Sequence, residues 1–406
     1  MSSQGNGSTF HIALIYGLGV LAAATITEAV PELASIAGEF HPSNPALIGL
    51  VMSTPSIVAA FGALLTGVLV DRFGDKFILM LGAALVILGD AGTVVAPNFH
   101  LLLLTRLVGG AGYMLMAVAA ITMLIRVTQG KRRTMALTLW STFVPASFIL
   151  PFLTAGLIVA SGSWRMAFIG HAVSLAVLLS VGVIVLPGHK TGGEMPSRAS
   201  GIGAALRSGH TYLLGLSFGA NAFLQTGVTS SLGAYIARHY GLSPDAVNGW
   251  NVGAMLLNII ASLLVGRLLN RGVPAYLIGI GGIVLAGIPA TVLYSFPISF
   301  GFSIGASWIF LFGCGFMVGL WALLPLCSPR PDAMGATSGL ATQLTLMGVV
   351  LGAPLFFAAQ AARTSAPLLV EVGIALFLSL AGAPIWLKAS KERSRLPSEA
   401  IQQMGH

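Results

Sequence analysis

Long apolar runs separated by short polar turns make up most of this chain of 406 residues. A helix of about 20 apolar residues spans the hydrocarbon core of a bilayer. Twelve such runs stand out, at roughly 10–31, 46–70, 77–96, 99–125, 133–160, 165–186, 211–236, 246–269, 274–294, 301–326, 335–361 and 366–387. They are continuous rather than alternating, so they predict spanning helices and not the strands of a closed barrel. The longest polar stretch, 187–210, divides them six and six. The expected organisation is therefore an N-terminal six-helix bundle over 1–186, a cytoplasmic linker over 187–210, a C-terminal six-helix bundle over 211–388 and a cytoplasmic tail over 389–406.

Composition agrees with that pattern. Apolar residues make up 56% of the chain and charged residues 8%, against about 25% charged in a soluble domain. The net charge of +8 does not point to nucleic acid, because the basic residues fall in turns between spans rather than on one solvated face. With the N-terminus inside, sixteen of the twenty Lys and Arg lie on the inner side; Arg165, Arg238 and Arg363 lie outside and Arg106 lies within a span. By the positive-inside rule both termini are expected in the cytoplasm of a multi-pass protein of the cell membrane, the inner membrane if the source is bacterial. The first ten residues hold no basic segment, so no cleavable signal is expected. Cys314 and Cys327 share one span without zinc-type spacing and read as small core residues. Walker, His-Glu-x-x-His and CxxC motifs are absent from the sequence. These readings predict a monomer that is not an enzyme, with no metal or cofactor and a proton gradient as its energy source.

The chain also repeats itself. Pro45, Gly67, Leu69, Arg72 and Gly82 recur as Pro244, Gly266, Leu268, Arg271 and Gly281, each 199 residues later. Spans two and three thus correspond to spans eight and nine, the pattern of parallel transporter repeats with a site near the midplane. The fold class expected is an all-α membrane protein of twelve transmembrane helices in two pseudo-symmetric six-helix bundles.

The turn at 67–76 carries Gly67, Leu69, Asp71, Arg72, Gly74 and Lys76 at the spacing G-x-L-x-D-R-x-G-R/K-R/K, with Asp75 where a base is usual. Leu102, Arg106, Gly110 and Gly112 form a second motif, with Gly109 where Gln is common, and Ser163-Trp164-Arg165 with Phe168 a third. Gly335, Ser338, Gly339, Gly348, Gly352 and Pro354 form a fourth. Over nearly its whole length the chain resembles the major facilitator superfamily, and within it the drug or metabolite:proton antiporter branch. The fifth span keeps Pro145 and Pro151 but not the glycines that flank such prolines in those antiporters.

Ionisable residues inside spans are costly and mark candidate function. Helical rise puts Asp90 about 20 Å and Glu28 about 27 Å from the inner face, and Arg106 about 9 Å from the outer one. All three therefore lie in the outer half. Glu28 and Glu32, four residues apart, are expected to share a helix face. The proposed proton-coupling set is Glu28, Arg106, Glu32 and Asp90, with protonation of Glu28 freeing Arg106. The resemblance implies that the first and fourth helices line a cavity. His171 reads as a satisfied core histidine, and Glu371 as a peripheral carboxylate.

The same resemblance implies that the 67–76 turn closes the inner side against the start of helix eleven. Gly67, Asp71, Arg72, Gly74, Lys76 and, in the second copy, Arg271 are the gate candidates. Asn270 replaces Asp there, so unequal gates are expected. Asn221 and Gln225 lie on one face of span seven. With Tyr113, Trp140, Phe143, Asn251, Trp321 and Gln343 they are the candidates for a substrate cavity. Apart from Arg267 at the cytoplasmic end of its span, the C-terminal spans hold no Lys or Arg, which disfavours a multivalent anion such as a phosphate ester. The function expected is alternating-access transport of a small organic solute, as proton-coupled efflux. The alternatives are proton-coupled uptake of a small organic acid or nutrient, and, less favoured, metal-ion transport.

Overall fold

The computed structural model describes residues 9–29, 32–42, 47, 50–151, 163–188, 200–241, 244–330, 333–360, 362 and 364–394. Every regular element among them is helical. The first part of the chain holds α1 (Thr9–Thr27), α2 (Leu33–Phe40), α3 (Leu50–Phe73), α4 (Asp75–Val94), α5 (Phe99–Val127), α6 (Gly130–Trp140), α7 (Phe143–Pro151) and α8 (Arg165–Val185). The second holds α9 (Ser200–Arg207), α10 (Gly209–Tyr240), α11 (Pro244–Asn270), α12 (Ala275–Ser295), α13 (Phe300–Gly319), α14 (Met334–Gln360), α15 (Ala366–Ser379) and α16 (Ala383–Ser394). A 3₁₀ segment, Leu320–Cys327, extends α13.

Among the described residues ten helices are long and apolar enough to cross a membrane, and α6 with α7 makes an eleventh as one bent span. The 32-residue α10 occupies the remaining expected position. The bend between α6 and α7, 41°, has a local cause. Pro145 cannot donate a backbone bond to Ser141, and the Ser141 and Thr142 hydroxyls each donate to backbone carbonyls three residues back, at 2.7 Å. Such bonds compete with the helical ladder. Between α3 and α4 the reversal takes one residue, Gly74, at φ 87°, in the left-handed region that a residue without Cβ adopts freely.

Close glycine contacts bring helices together, as expected where apolar burial alone gives no preference for helix over lipid. Gly89 meets the Gly109 backbone and Gly82 meets the Gly112 carbonyl, joining α4 to α5. In α14, the Cβ of an alanine at Gly348 would overlap the Gly219 carbonyl of α10. Gly348→Ala is therefore expected to push these helices apart at a cost of about 1–3 kcal/mol. A thermal unfolding midpoint in detergent equal to wild type would refute that packing.

The chain forms two compact units, each assembled from three stretches. One comprises Met1–Val127, Phe143–Ala205 and Arg330–Gln343; the other comprises Thr128–Thr142, Leu206–Pro329 and Leu344–His406. The first contains a core of Ile36, Val51, Phe99, Leu102, Trp164 and Phe168 near the start of α8. The second has a larger core around Leu224, Tyr294, Phe310 and Phe356.

Candidate functional site

The first unit buries four charged or titratable side chains together: Glu28 just beyond α1, Asp90 in α4, Arg106 in α5 and His171 in α8. Arg106 is the fixed point. Its Nη1 donates to Glu28 Oε1 at 2.6 Å, its Nε to the Val51 carbonyl at 3.2 Å, and its Nη2 to the Thr25 carbonyl. Asp90 Oδ1 lies 3.9 Å from Nη1. The guanidinium carbon sits 5.2 Å above the Phe168 ring, within cation–π range.

His171 is not the satisfied core residue that its sequence context suggests. Its Nε2 lies 2.7 Å from the Leu21 carbonyl, which only accepts, so Nε2 carries a proton. Its Nδ1 lies 2.7 Å from Glu28 Oε2 and 2.8 Å from Asp90 Oδ2. It faces both carboxylates at once, within hydrogen-bonding distance of each. Charge counting then defines the chemistry. One guanidinium offsets one carboxylate, and the second carboxylate is offset only if the cluster holds one further proton, on His171 or on a carboxyl group. Losing that proton leaves a buried negative charge, and a second proton leaves a buried positive one; both are costly.

Glu28, Asp90 and His171 each offer a metal-ligating atom within 4.8 Å of the others, so a histidine does join these carboxylates. A guanidinium 2.6 Å from Glu28 already takes the place of a cation, which favours a proton over a metal ion as the group exchanged here.

Glu32 does not share a helix face with Glu28. The first helix ends at Thr27, and Glu32 is the residue before α2, buried, with Oε1 unpartnered. At the other end of α2, Glu39 accepts from Arg165 Nη1 and Nη2 at 2.7 and 2.6 Å and from Trp164 Nε1 at 2.7 Å. Arg165 also donates to the Val94 carbonyl at 2.9 Å. This clasp ties α2 to α4 and α8. The hydrogen bonds from Arg165 and then Trp164 lower the Glu39 carboxyl to about 2. A lowered carboxyl contributes above its ordinary value and is lost only as pH falls through the folded one. Hydrogen exchange across 33–40 should therefore be the same at about pH 5 and about pH 8 once corrected for intrinsic rates, and Glu39→Ala should accelerate it at both. Protection that falls on mild acidification would contradict the clasp.

At the α3–α4 turn, Asp71 accepts from the backbone N–H groups of Gly335 and Ala336 at 3.0 and 2.9 Å, a carboxylate on the N-terminus of α14. Gly67 packs against the Gly335 carbonyl. Arg72 instead lies over the Phe73 ring, and Arg271 is exposed. Lys76 donates to the Val183 and Leu186 carbonyls at 2.8 and 2.7 Å, capping α8. Asp75, the departure from the family pattern, receives Arg126 in two bonds of 2.6 and 2.9 Å, and Arg126 also donates to the Pro187 carbonyl. In the second copy Asn270 donates to the Lys131 carbonyl at 3.2 Å. The two turns thus meet their partners differently, one through a carboxylate and the other through an amide.

The candidates for a substrate cavity are divided between the two units. Tyr113 and Trp140 are buried. Trp321 stacks on Phe218 with ring centroids 4.5 Å apart, and Gln343 Oε1 accepts from the Leu64 N–H. Asn221 is buried with Nδ2 3.5 Å from the Cys314 carbonyl. Gln225 and Phe143 are half-buried, and the side chain of Asn251 lies outside the described residues. Asn258, in the second unit, is wholly buried and bonds the Leu311 carbonyl while its own Oδ1 has no partner.

Residues 12–353 match the sequence profile of the Major Facilitator Superfamily. An arabinose-proton symporter of Escherichia coli K12 is 33% identical over 137 residues, 34% of this chain and 29% of that protein. A galactose-proton symporter of the same strain is 28% identical over 180 residues, 44% of this chain and 38% of that protein. The alignments thus span under two-fifths of these curated relatives. A solved structure of the proton:xylose symporter XylE bound to 6-bromo-6-deoxy-D-glucose superposes with a TM-score of 0.73 at 14% identity, covering 91% of this chain and 94% of that one. At that identity the likeness establishes the fold.

Proposed function

This chain belongs to the major facilitator superfamily, a multi-pass membrane transporter rather than an enzyme, and we propose that it takes up a small neutral organic solute, of the monosaccharide class, together with a proton. The observation that carries the proposal is the buried Glu28–Arg106–Asp90–His171 cluster, which is neutral only while it holds one exchangeable proton. The resemblance to antiporters in the sequence points to efflux. The proton symporters among the relatives support uptake instead, and the antiporter motif in the fifth span is incomplete. A neutral solute suits the C-terminal spans, which carry no Lys or Arg away from their ends to clamp a multivalent anion.

The gate reading is part of the same proposal. Asp71, held on the α14 N-terminus, contributes to closing one side during alternating access, with Gly67 allowing the approach. Gly74, Lys76 and Arg72 belong to the same turn of the gate, and Arg271 to its second copy. Glu32, buried between the cluster and the clasp in sequence, serves as an accessory proton acceptor.

Proteoliposomes test the reading. Radiolabelled pentoses and hexoses are offered with and without an inside-alkaline pH gradient. Accumulation that requires the gradient, and acidifies the lumen as solute enters, supports symport. Uptake indifferent to the gradient, or solute moving against the inward proton flow, rejects it.

A further inference from the structure

A cavity of about 480 Å³ opens in the second unit, lined by His210 at the start of α10 and by Pro384, Leu387, Lys388, Lys391 and Glu392 of α16. It takes no part in the proton cluster. Positions 384, 387, 388 and 391 recur at helical spacing, so they form one face of α16. That face changes character along its length. Pro384 and Leu387 are exposed and apolar; Lys388 and Lys391 follow within about 6 Å of Leu387 along the axis, and His210 lines the same groove from α10. Lys388 Nζ also donates to the Leu326 carbonyl at 3.3 Å, which ties this lysine to the end of the 3₁₀ segment. The groove lies where the last apolar span, Ala366–Glu392, runs out.

We infer that this groove binds the headgroup of an anionic glycerophospholipid, its phosphate at Lys388, Lys391 and His210 and its glycerol and upper acyl chains along Pro384 and Leu387. The apolar-to-basic step matches the order in which a lipid presents acyl chain and phosphate. A free phosphate ion would leave the apolar end unused. Basic clusters at the ends of spans attract anionic lipid, and Glu392 weakens that attraction from within the same groove.

The test is native mass spectrometry of the full chain in detergent, titrated with phosphatidylglycerol or phosphatidylcholine. Wild type should retain phosphatidylglycerol preferentially. Lys388→Ala/Lys391→Ala should reduce that retention about thirtyfold, while Lys388→Arg/Lys391→Arg keeps it. Glu392→Gln should increase it, which provides a reading even if the double alanine variant does not fold. Equal retention of the two lipids overturns the inference, as does an unchanged Glu392→Gln variant. Competition by millimolar inorganic phosphate also overturns it, since the groove would then be a simple anion site. Lipid counting needs no solute or proton gradient, so this result stands apart from the transport assay.

Discussion

Glu28→Gln is expected to abolish proton-driven accumulation while leaving solute exchange across the membrane intact. In wild type, two carboxylates face one guanidinium, and neutrality requires one more proton. With glutamine at 28, Arg106 and Asp90 balance without it, and His171 remains neutral. The proton is no longer needed to complete the cycle. A symporter moving one proton per solute concentrates its substrate by at most about tenfold per pH unit, and that ratio should fall to unity in the variant. Counterflow of labelled against unlabelled solute should persist. His171→Gln makes the contrasting prediction. Glu28, Asp90 and Arg106 still need one proton, now on a carboxyl group, so coupling survives with a shifted pH profile. Accumulation retained in Glu28→Gln, or exchange lost along with it, would exclude the cluster as the coupling element.

Arg106→Ala should destabilise the fold more than any other single change considered. It strands two buried carboxylates and removes the donors from the Val51 and Thr25 carbonyls. Breaking one side of a buried ion pair costs about 3–5 kcal/mol. Arg106→Lys keeps the charge but has fewer donors in a less rigid array, so an intermediate loss is expected. Thermal unfolding in detergent would measure both. The decisive comparison is a double-mutant cycle with Glu28→Gln: the pair should be more stable than the sum of the single losses, because the second change removes one of the stranded charges. Additive losses would show that Arg106 acts through packing on Phe168 and not through the carboxylate.

Several parts of this architecture can be read from the chain itself. The apolar runs locate the helices, and the 199-residue repeat pairs Gly67 with Gly266 because both positions require close helix approach. Glu28 and Arg106 are visible because an ion within a span needs a counter-ion. His171 is not, since an uncharged imidazole in an apolar run has no local signal. Its role depends on Glu28 and Asp90, more than 140 and 80 residues earlier in the sequence. The proposed Glu28–Glu32 face fails because the helix stops at Thr27, and the eight-residue α2 is too short to register beside the long spans. Asp75 looks like a defect in the turn motif until Arg126 is found against it. The aromatic candidates carry no such local signal: Trp321 reads the same from sequence whether it faces a solute or stacks on Phe218, as it does here.

The make-up of the two units bears on how the protein is synthesised. The first unit includes residues 330–343, and the second reaches back to residues 128–142. A ribosome therefore releases most of the first unit long before its last stretch exists, and Asp71 waits for Gly335 and Ala336 until translation is more than four-fifths complete. A chain severed between residues 188 and 200 would yield two fragments that each lack a strip of their own unit. Neither should accumulate when expressed alone, while co-expression should restore both.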